Sequence, residues 1–267
     1  PTPRIHYALP GAKRIKKSSQ KWLNTLLYVL IALLFILSLS KILQLFYNAD
    51  WTTLTKVIHL GLLTAIRILI LTTICLIIWV PIGVWIGLRR QWSDYVQPMI
   101  QFFSAFPVNL LYPILVPWIL IHHLNIDIWS APLIVLGTQW YILFNVIAGT
   151  QSIPKTLLYA ANSMRLGWFT WWMRFMLPAI FPALLTGVIT AVGGAWNASI
   201  VAEALSYGQT HLYAQGIGAF ITQAFESHDT DQLIIGVSVM AFLVLLINRI
   251  LWQPLYRYSQ DRFTLEA

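Results

Sequence analysis

Charge is what this sequence has least of. Only nine of its 267 residues are acidic, and Asp, Glu, Lys and Arg together make up 10% of the chain, against about 25% in an ordinary soluble domain. Hydrophobic residues reach 58% and the mean hydropathy is +0.70. These values exclude a water-soluble fold and leave a polytopic membrane protein. Cysteine occurs once, as Cys75 inside an apolar run, so an internal disulfide framework and a Cys-based metal site are both ruled out and a core thiol remains. No spacing among the six histidines, the serines or the aspartates joins a nucleophile to a base; no catalytic residue and no metal site is expected, and an intramembrane enzyme is not supported. His122, His123, Asn125 and Asp127 read as a polar turn, because adjacent histidines point to different sides of a helix.

Long apolar runs are what the chain does have, and their spacing gives six transmembrane helices in an all-α fold. Residues 1–21, with Lys13, Arg14, Lys16, Lys17 and Lys21, form a basic tail or linker. The run behind them is too long for a signal-peptide core and has no small-x-small cleavage site, so it is an uncleaved span from Trp22 to about Tyr47. Residues 22–54 hold this helix and its outer connection, with Asp50 placed to cap the next helix. The second span, about Val57 to Leu88, is over-long and carries Pro81, Gly83 and Gly87 near its inner end, where a kink is expected. A third, about Tyr95 to Ile121, is broken by Pro98, Pro107, Pro113 and Pro117; the unpaired carbonyls this creates need protein or a watery cavity around them, which places this span toward the bundle interior. The fourth runs from about Ile128 to Ile147, the fifth from about Phe175 to Ala204 and the sixth from about Asp231 to Trp252; residues 263–267 are a short tail.

Basic residues alternate with these spans. Arg89, Arg90, Lys155, Arg165, Arg174, Arg257 and Arg262 join the amino-terminal cluster on one side. Asp50, Asp127, Glu203, Glu226 and Asp229 fall on the other, where residues 205–230 form the longest loop and contain no Lys or Arg. The positive-inside rule then puts both chain ends in the cytoplasm, with lipid around the spans; no nucleic-acid partner is expected. Two charges stand out against this pattern: Lys56 on the outer side and Arg67 embedded in the second span, a candidate for snorkelling or a structural ion pair.

Between the fourth and fifth spans lies YAANSMRLGWFTWWMRFMLPAIFPALLTGVITAVGGAWNASIVAE, residues 159–203. Ala160-Ala161 followed by Leu177-Pro178 resembles the "EAA" loop of permease subunits of binding-protein-dependent ABC importers. In that motif Glu-Ala-Ala, three residues, Gly, nine residues, Ile, one residue and Leu-Pro make the helix that docks on the ATPase. In this register the Glu position holds Tyr159, the Gly position Arg165 and the Ile position Phe175; Gly167 stands two residues late, as though the turn had slid. VPIGVWIGLRR, FFSAFPVNLLYP, LGTQWYILFNVIAGT, GGAWNASIVAEAL and NRILWQPLY look like the nitrate/sulfonate/taurine-type branch, and like one half of its duplicated anion-transport permeases.

The resemblance implies the ABC importer permease (MetI-like) fold over residues 55–262, with a coupling loop at 155–174 that includes Tyr159, Ala160, Ala161, Arg165, Gly167, Leu177 and Pro178. It implies a bacterial inner-membrane protein that carries a small anion by alternating access. Cytoplasmic ABC ATPase subunits would hold the ATP-Mg, this chain would bind no cofactor itself, and an extracytoplasmic solute-binding protein would deliver the substrate. A second permease unit is needed, either an identical copy or a fused homologous half; the start at Pro1 and the basic run after it look like an interdomain linker. Polar and aromatic groups set within the spans are candidates for the pathway: Gln139, Trp140, Asn145, Trp196, Asn197, Ser199 and Glu203. The amides could equally hold helices together. A secondary transporter or channel is the competing reading, and it would need carboxylates or paired charges near the midplane.

Overall fold

The computed structural model describes residues 17–208 and 210–263; the expectations for residues 1–16 and 264–267 lie outside them. The chain forms two compact units, one through Ala49 and one from Asp50. The first consists of α1 (Lys17–Asn48), so helix begins within the stretch that read as a tail. Residues 18–21 contain neither Gly nor Pro, and an established helix extends backward at the cost of fixing one residue per added hydrogen bond.

The second unit opens with α2 (Trp51–Gly87), whose cap position is Asp50. That carboxylate accepts a bond from the Thr52 hydroxyl at 2.5 Å rather than from a backbone amide. Next come α3 (Arg90–Ala105) and α4 (Tyr112–Ile121), bent 79° from one another around Phe106-Pro107 and a short 3₁₀ turn at Val108–Leu111. The third span is therefore not one helix. Pro107 offers no N–H and forces Phe106 into an extended conformation, φ −70° and ψ 124°. Within this chain, Ser93, Ile100, Val116 and Ile119 are the residues of α3 and α4 that are buried.

α5 (Ile126–Gln151) starts at Asn125, whose side-chain oxygen accepts the Asp127 N–H at 2.8 Å, an N-cap written into the polar turn. α6 (Lys155–Ser163) follows Pro154. α7 (Trp168–Thr170), a π-helical turn at Trp171–Met176 and α8 (Leu177–Ala202) then run on as one apolar stretch of 35 residues. The loop that followed in the sequence reading is itself structured. It holds an antiparallel hairpin, β1 (Ala204–Tyr207) and β2 (Thr210–Tyr213), paired Ala204 to Tyr213 and Tyr207 to Thr210, and then α9 (Ile217–Glu226). Gly208, at φ +61°, opens the hairpin turn. α10 (Thr230–Ile247), a second π-helical turn at Asn248–Trp252 and α11 (Gln253–Phe263) close the chain. Five of these helical stretches are long and apolar enough to span a bilayer, and the α3–α4 pair supplies a sixth if it crosses as one broken span.

α5 packs along both α2 and α8, and glycine makes the second contact close. A Cβ at Gly187 would lie 2.9 Å from the Tyr141 carbonyl and 2.8 Å from Asn145 Cβ, whereas a Cβ at Gly193 would meet nothing within 4 Å. Gly187→Leu is therefore expected to destabilise the protein by about 1–3 kcal/mol through overpacking, seen as a lowered Tm in detergent, while Gly193→Leu leaves Tm unchanged. Equal losses from the two would remove the α5–α8 contact as the cause.

Candidate functional site

The acidic end of the bundle is held by a buried carboxylate. Glu203, just past the end of α8, is 0% exposed. Its Oε1 accepts from the Arg67 guanidinium of α2 and from Thr64 Oγ1 at 2.8 Å. Its Oε2 accepts the Gly218 N–H at 2.8 Å, in the first turn of α9, where a helix amino terminus favours negative charge. Thr64 Oγ1 in turn accepts the Ile217 N–H at 3.0 Å, and Arg67 Nη2 donates to the Gln215 carbonyl at 3.2 Å. Asp127, at the start of α5, accepts the Gln215 N–H at 2.5 Å. Arg67 is thus a structural ion-pair partner and not a snorkelling side chain. Gly216 is required here by close approach, since a Cβ on it would fall 2.1 Å from Glu203 Oε2. On the surface nearby, Tyr213 donates to the Glu226 carboxylate, and that bond raises the phenol above its ordinary range.

The seven pathway candidates do not converge on one place. Trp196 and Ser199 are buried, the latter bonded to the Trp196 carbonyl at 2.8 Å, and Glu203 belongs to the network above. Asn145 donates to the Tyr141 carbonyl at 2.8 Å, inside its own helix. Gln139 and Trp140 are half-buried among aromatic rings: Trp79 Nε1 donates to Gln139 Oε1 at 3.1 Å, and Phe103 stacks on Trp140 with centroids 5.1 Å apart. Only Asn197 lies on an open face of α8, with Thr186, Thr190 and Gly193. The side chains of this stripe are already bonded to their own helix, Thr186 to Pro182 O at 3.0 Å, Thr190 to Thr186 O at 2.9 Å and Asn197 to Gly193 O at 3.3 Å. It is polar yet demands no partner. The i, i+4, i+7, i+11 spacing of small and polar residues is its signal in the sequence, and it adds Thr186 and Thr190 to Asn197.

At the basic end, α6 carries the two alanines. Ala160 is exposed and Ala161 is 5% exposed, packed within its own chain. Tyr159 is exposed, while Leu177 and Pro178 are half-buried at the start of α8. Arg165 has φ +45°, a left-handed conformation that glycine adopts freely, while Gly167 has φ −61°. The turn has therefore not slid to Gly167 and stands at Arg165. Close by, Gln151 at the end of α5 donates to Ser93 Oγ at 2.6 Å and accepts from Gln97 Nε2 at 2.9 Å, tying α3 to the end of α5 just before α6.

Comparison with known proteins matches residues 79–262 to the family described as "Binding-protein-dependent transport system inner membrane component". The bicarbonate transport system permease protein CmpB of Synechococcus elongatus is 29% identical over 178 residues, 66% of this chain and 60% of that protein. The taurine transport system permease protein TauC of Escherichia coli is 24% identical over 187 residues, 68% and 62% of the two chains. The nitrate import permease protein NrtB of Leptolyngbya laminosa is 31% identical over 109 residues, 41% and 37%. The chain thus spans less than two thirds of the length of each of these relatives. Among solved structures, an inward-facing MetNI methionine ABC transporter chain superposes with a TM-score of 0.63 at 17% identity, covering 79% of this chain and 99% of that one.

The network at Glu203 makes a measurable demand. Arg67→Met leaves a buried carboxylate unpaired and is expected to cost about 3–5 kcal/mol. Glu203→Gln keeps one carbonyl acceptor for Arg67 and Thr64 but sets an amide NH2 against the Gly218 N–H, and is expected to cost a smaller amount. Arg67→Met combined with Glu203→Met recovers much of the loss. Thermal unfolding in detergent checks the order; a double variant as unstable as the sum of the Arg67→Met and Glu203→Met single losses would show that the two charges do not act as a pair.

Proposed function

The chain belongs to the family of inner membrane components of binding-protein-dependent transport systems, and from that membership and the geometry above we propose that it is the permease subunit of an ATP-driven importer for a small anionic solute. The observation that carries the reading is the exposed Ala160 on α6, a short helix at the basic end that leads through the Arg165 turn into α8. A groove in a cytoplasmic ABC ATPase would receive that alanine, and movement of α6 would pass into α8 and, through Gln151 and Ser93, into α3. ATP and Mg would stay on the ATPase. The permease's work is conformational, an alternation of access driven by closure of the partner.

The Thr186, Thr190, Gly193 and Asn197 stripe is the best-placed lining for the pathway, facing a second permease unit that is either an identical copy or a homologous half. Neutral hydroxyl and amide groups suit weak, transient contact with a passing solute. Bicarbonate, nitrate and taurine, the solutes named for the relatives, each carry an anionic oxygen group, which supports a small anion here too. An extracytoplasmic binding protein would deliver it to the acidic end, with both chain ends cytoplasmic and the protein in a bacterial inner membrane. A channel or secondary transporter would need a carboxylate open to a cavity, and Glu203 is sealed on every side by Thr64, Arg67 and Gly218.

Two measurements test this reading. In the reconstituted complex, Ala160→Arg is expected to abolish uptake while the ATPase still hydrolyses ATP and the permease keeps its Tm. Arg165→Gly should preserve uptake and stabilise the chain by about 1 kcal/mol, the strain of a left-handed non-glycine residue. Unimpaired transport in Ala160→Arg would remove α6 as the coupling element. Cysteines placed at Thr186, Thr190 and Asn197 in a Cys75→Ser background should react with impermeant thiol reagents in at least one nucleotide state, and cysteines at Trp196 and Ser199 in none; uniform inaccessibility of the first three would sink the pathway assignment.

A further inference from the structure

The last helix carries a basic recess that lies outside the elements assigned to transport above. α10 begins at Thr230, and Arg249 lies 19 residues further on, roughly 29 Å along the axis at 1.5 Å per residue. That is the thickness of the hydrocarbon core, about 30 Å, so Arg249 arrives where a bilayer's headgroups begin. Arg249, Gln253 and Arg257 follow one another at four-residue spacing, and with Pro254, Tyr258 and Asp261 they line a recess of about 430 Å³. The opposite side of the same helix is occupied: Trp252 and Ser259 are buried, and Leu251, Trp252 and Leu255 face α2 and α8. The arginine stripe therefore looks away from the bundle. Beside it, Phe242, Leu245 and Leu246 on α10 and Ile250 in the π-helical turn are exposed apolar side chains.

Neither arginine has a carboxylate partner among the described residues; Asp261 lines the far end of the recess but forms no ion pair with either. Arg249 is set by a π-helical turn, Asn248–Trp252, a local irregularity that frequently marks a functional position. Helical side chains lean toward the amino terminus, so Arg257 reaches back across Gln253 toward Arg249. An unpaired guanidinium at headgroup depth, a second about 12 Å further along the axis, an amide and a tyrosine, beside an exposed apolar stripe, match a ligand with a phosphate head and hydrocarbon tails.

We propose that this recess binds the headgroup of an anionic phospholipid, with its acyl chains lying along Phe242, Leu245 and Leu246. The bound lipid fixes the end of the last helix against α8. The assignment is independent of which solute is carried and of how the ATPase docks.

The test uses the whole complex reconstituted in equimolar phosphatidylglycerol and phosphatidylcholine, then re-extracted, with retained lipid counted by mass spectrometry. Wild type is expected to retain phosphatidylglycerol preferentially. One arginine near an anionic lipid surface is worth about fivefold in affinity, so Arg249→Gln with Arg257→Gln should lower that enrichment by roughly tenfold or more. Arg89→Gln with Arg90→Gln removes the same charge from another part of the basic end and should leave the enrichment unchanged, because neither residue lines the recess. Absence of any preference in wild type overturns the proposal whatever the variants do. So does an equal loss in both double variants, which would mean diffuse attraction, or loss of a protein subunit from the Arg249/Arg257 variant with lipid retention unchanged, which would mean the stripe is a protein interface. If that double variant fails to fold, Arg257→Gln alone is expected to lower enrichment about fivefold, and an unchanged value refutes the site.

Discussion

A carboxylate without water must be surrounded by donors, and at the acidic end of this bundle that requirement organises the chain. Glu203 is fully buried and satisfied by a guanidinium, a hydroxyl and a backbone amide from two other helices. Each donor fixes an element. Thr64 and Arg67 set the rotation of α2, Gly218 sets the start of α9, and the Ala214 N–H bonded to the Glu203 carbonyl at 2.8 Å brings the hairpin back to the end of α8. Removing one partner would strand the rest, which is why buried pairs of this kind are strongly destabilising to break even though they add little net stability when intact.

Away from that network the bundle is held by shape. Apolar side chains gain nothing by leaving lipid for one another, so helices in a membrane associate through close packing. Gly187 against Tyr141 and Asn145 permits that closeness, while on the open stripe of α8 a Cβ at Gly193 would meet nothing within 4 Å among the described residues. One helix therefore carries a packed face and a vacant polar face side by side. The first is close-packed, and the second offers neutral hydroxyl and amide groups.

At the basic end the geometry is strained where the motif departs from its pattern. Arg165 adopts the left-handed conformation that the glycine of the EAA-like pattern would occupy without cost. The turn is therefore fixed by the surrounding helices, α6 before it and the stretch into α8 after it, and not by the residue that makes it. Ala161 turns inward and Ala160 outward, so a pair that looks equivalent in sequence divides into one packing residue and one exposed residue.

Hydropathy alone determined the spans, because burying some twenty apolar residues in lipid outweighs any local preference, and the family could be read from residues 159–178 and the flanking stretches. The break at Pro107 was half legible: the prolines announced an irregular span but not a bend of 79°. Periodicity could not show which polar residues meet. Arg67 and Glu203 stand 136 positions apart, and only the folded bundle brings them together. Trp196, Ser199 and Asn197 lie within four residues of one another, yet two are buried and one is open, because a helix turns about 100° per residue and its neighbours decide which direction is inside. Tertiary packing alone selected the vacant face of α8, the left-handed Arg165 and the occupied side of α11, since each depends on what lies against the helix and not on the helix itself.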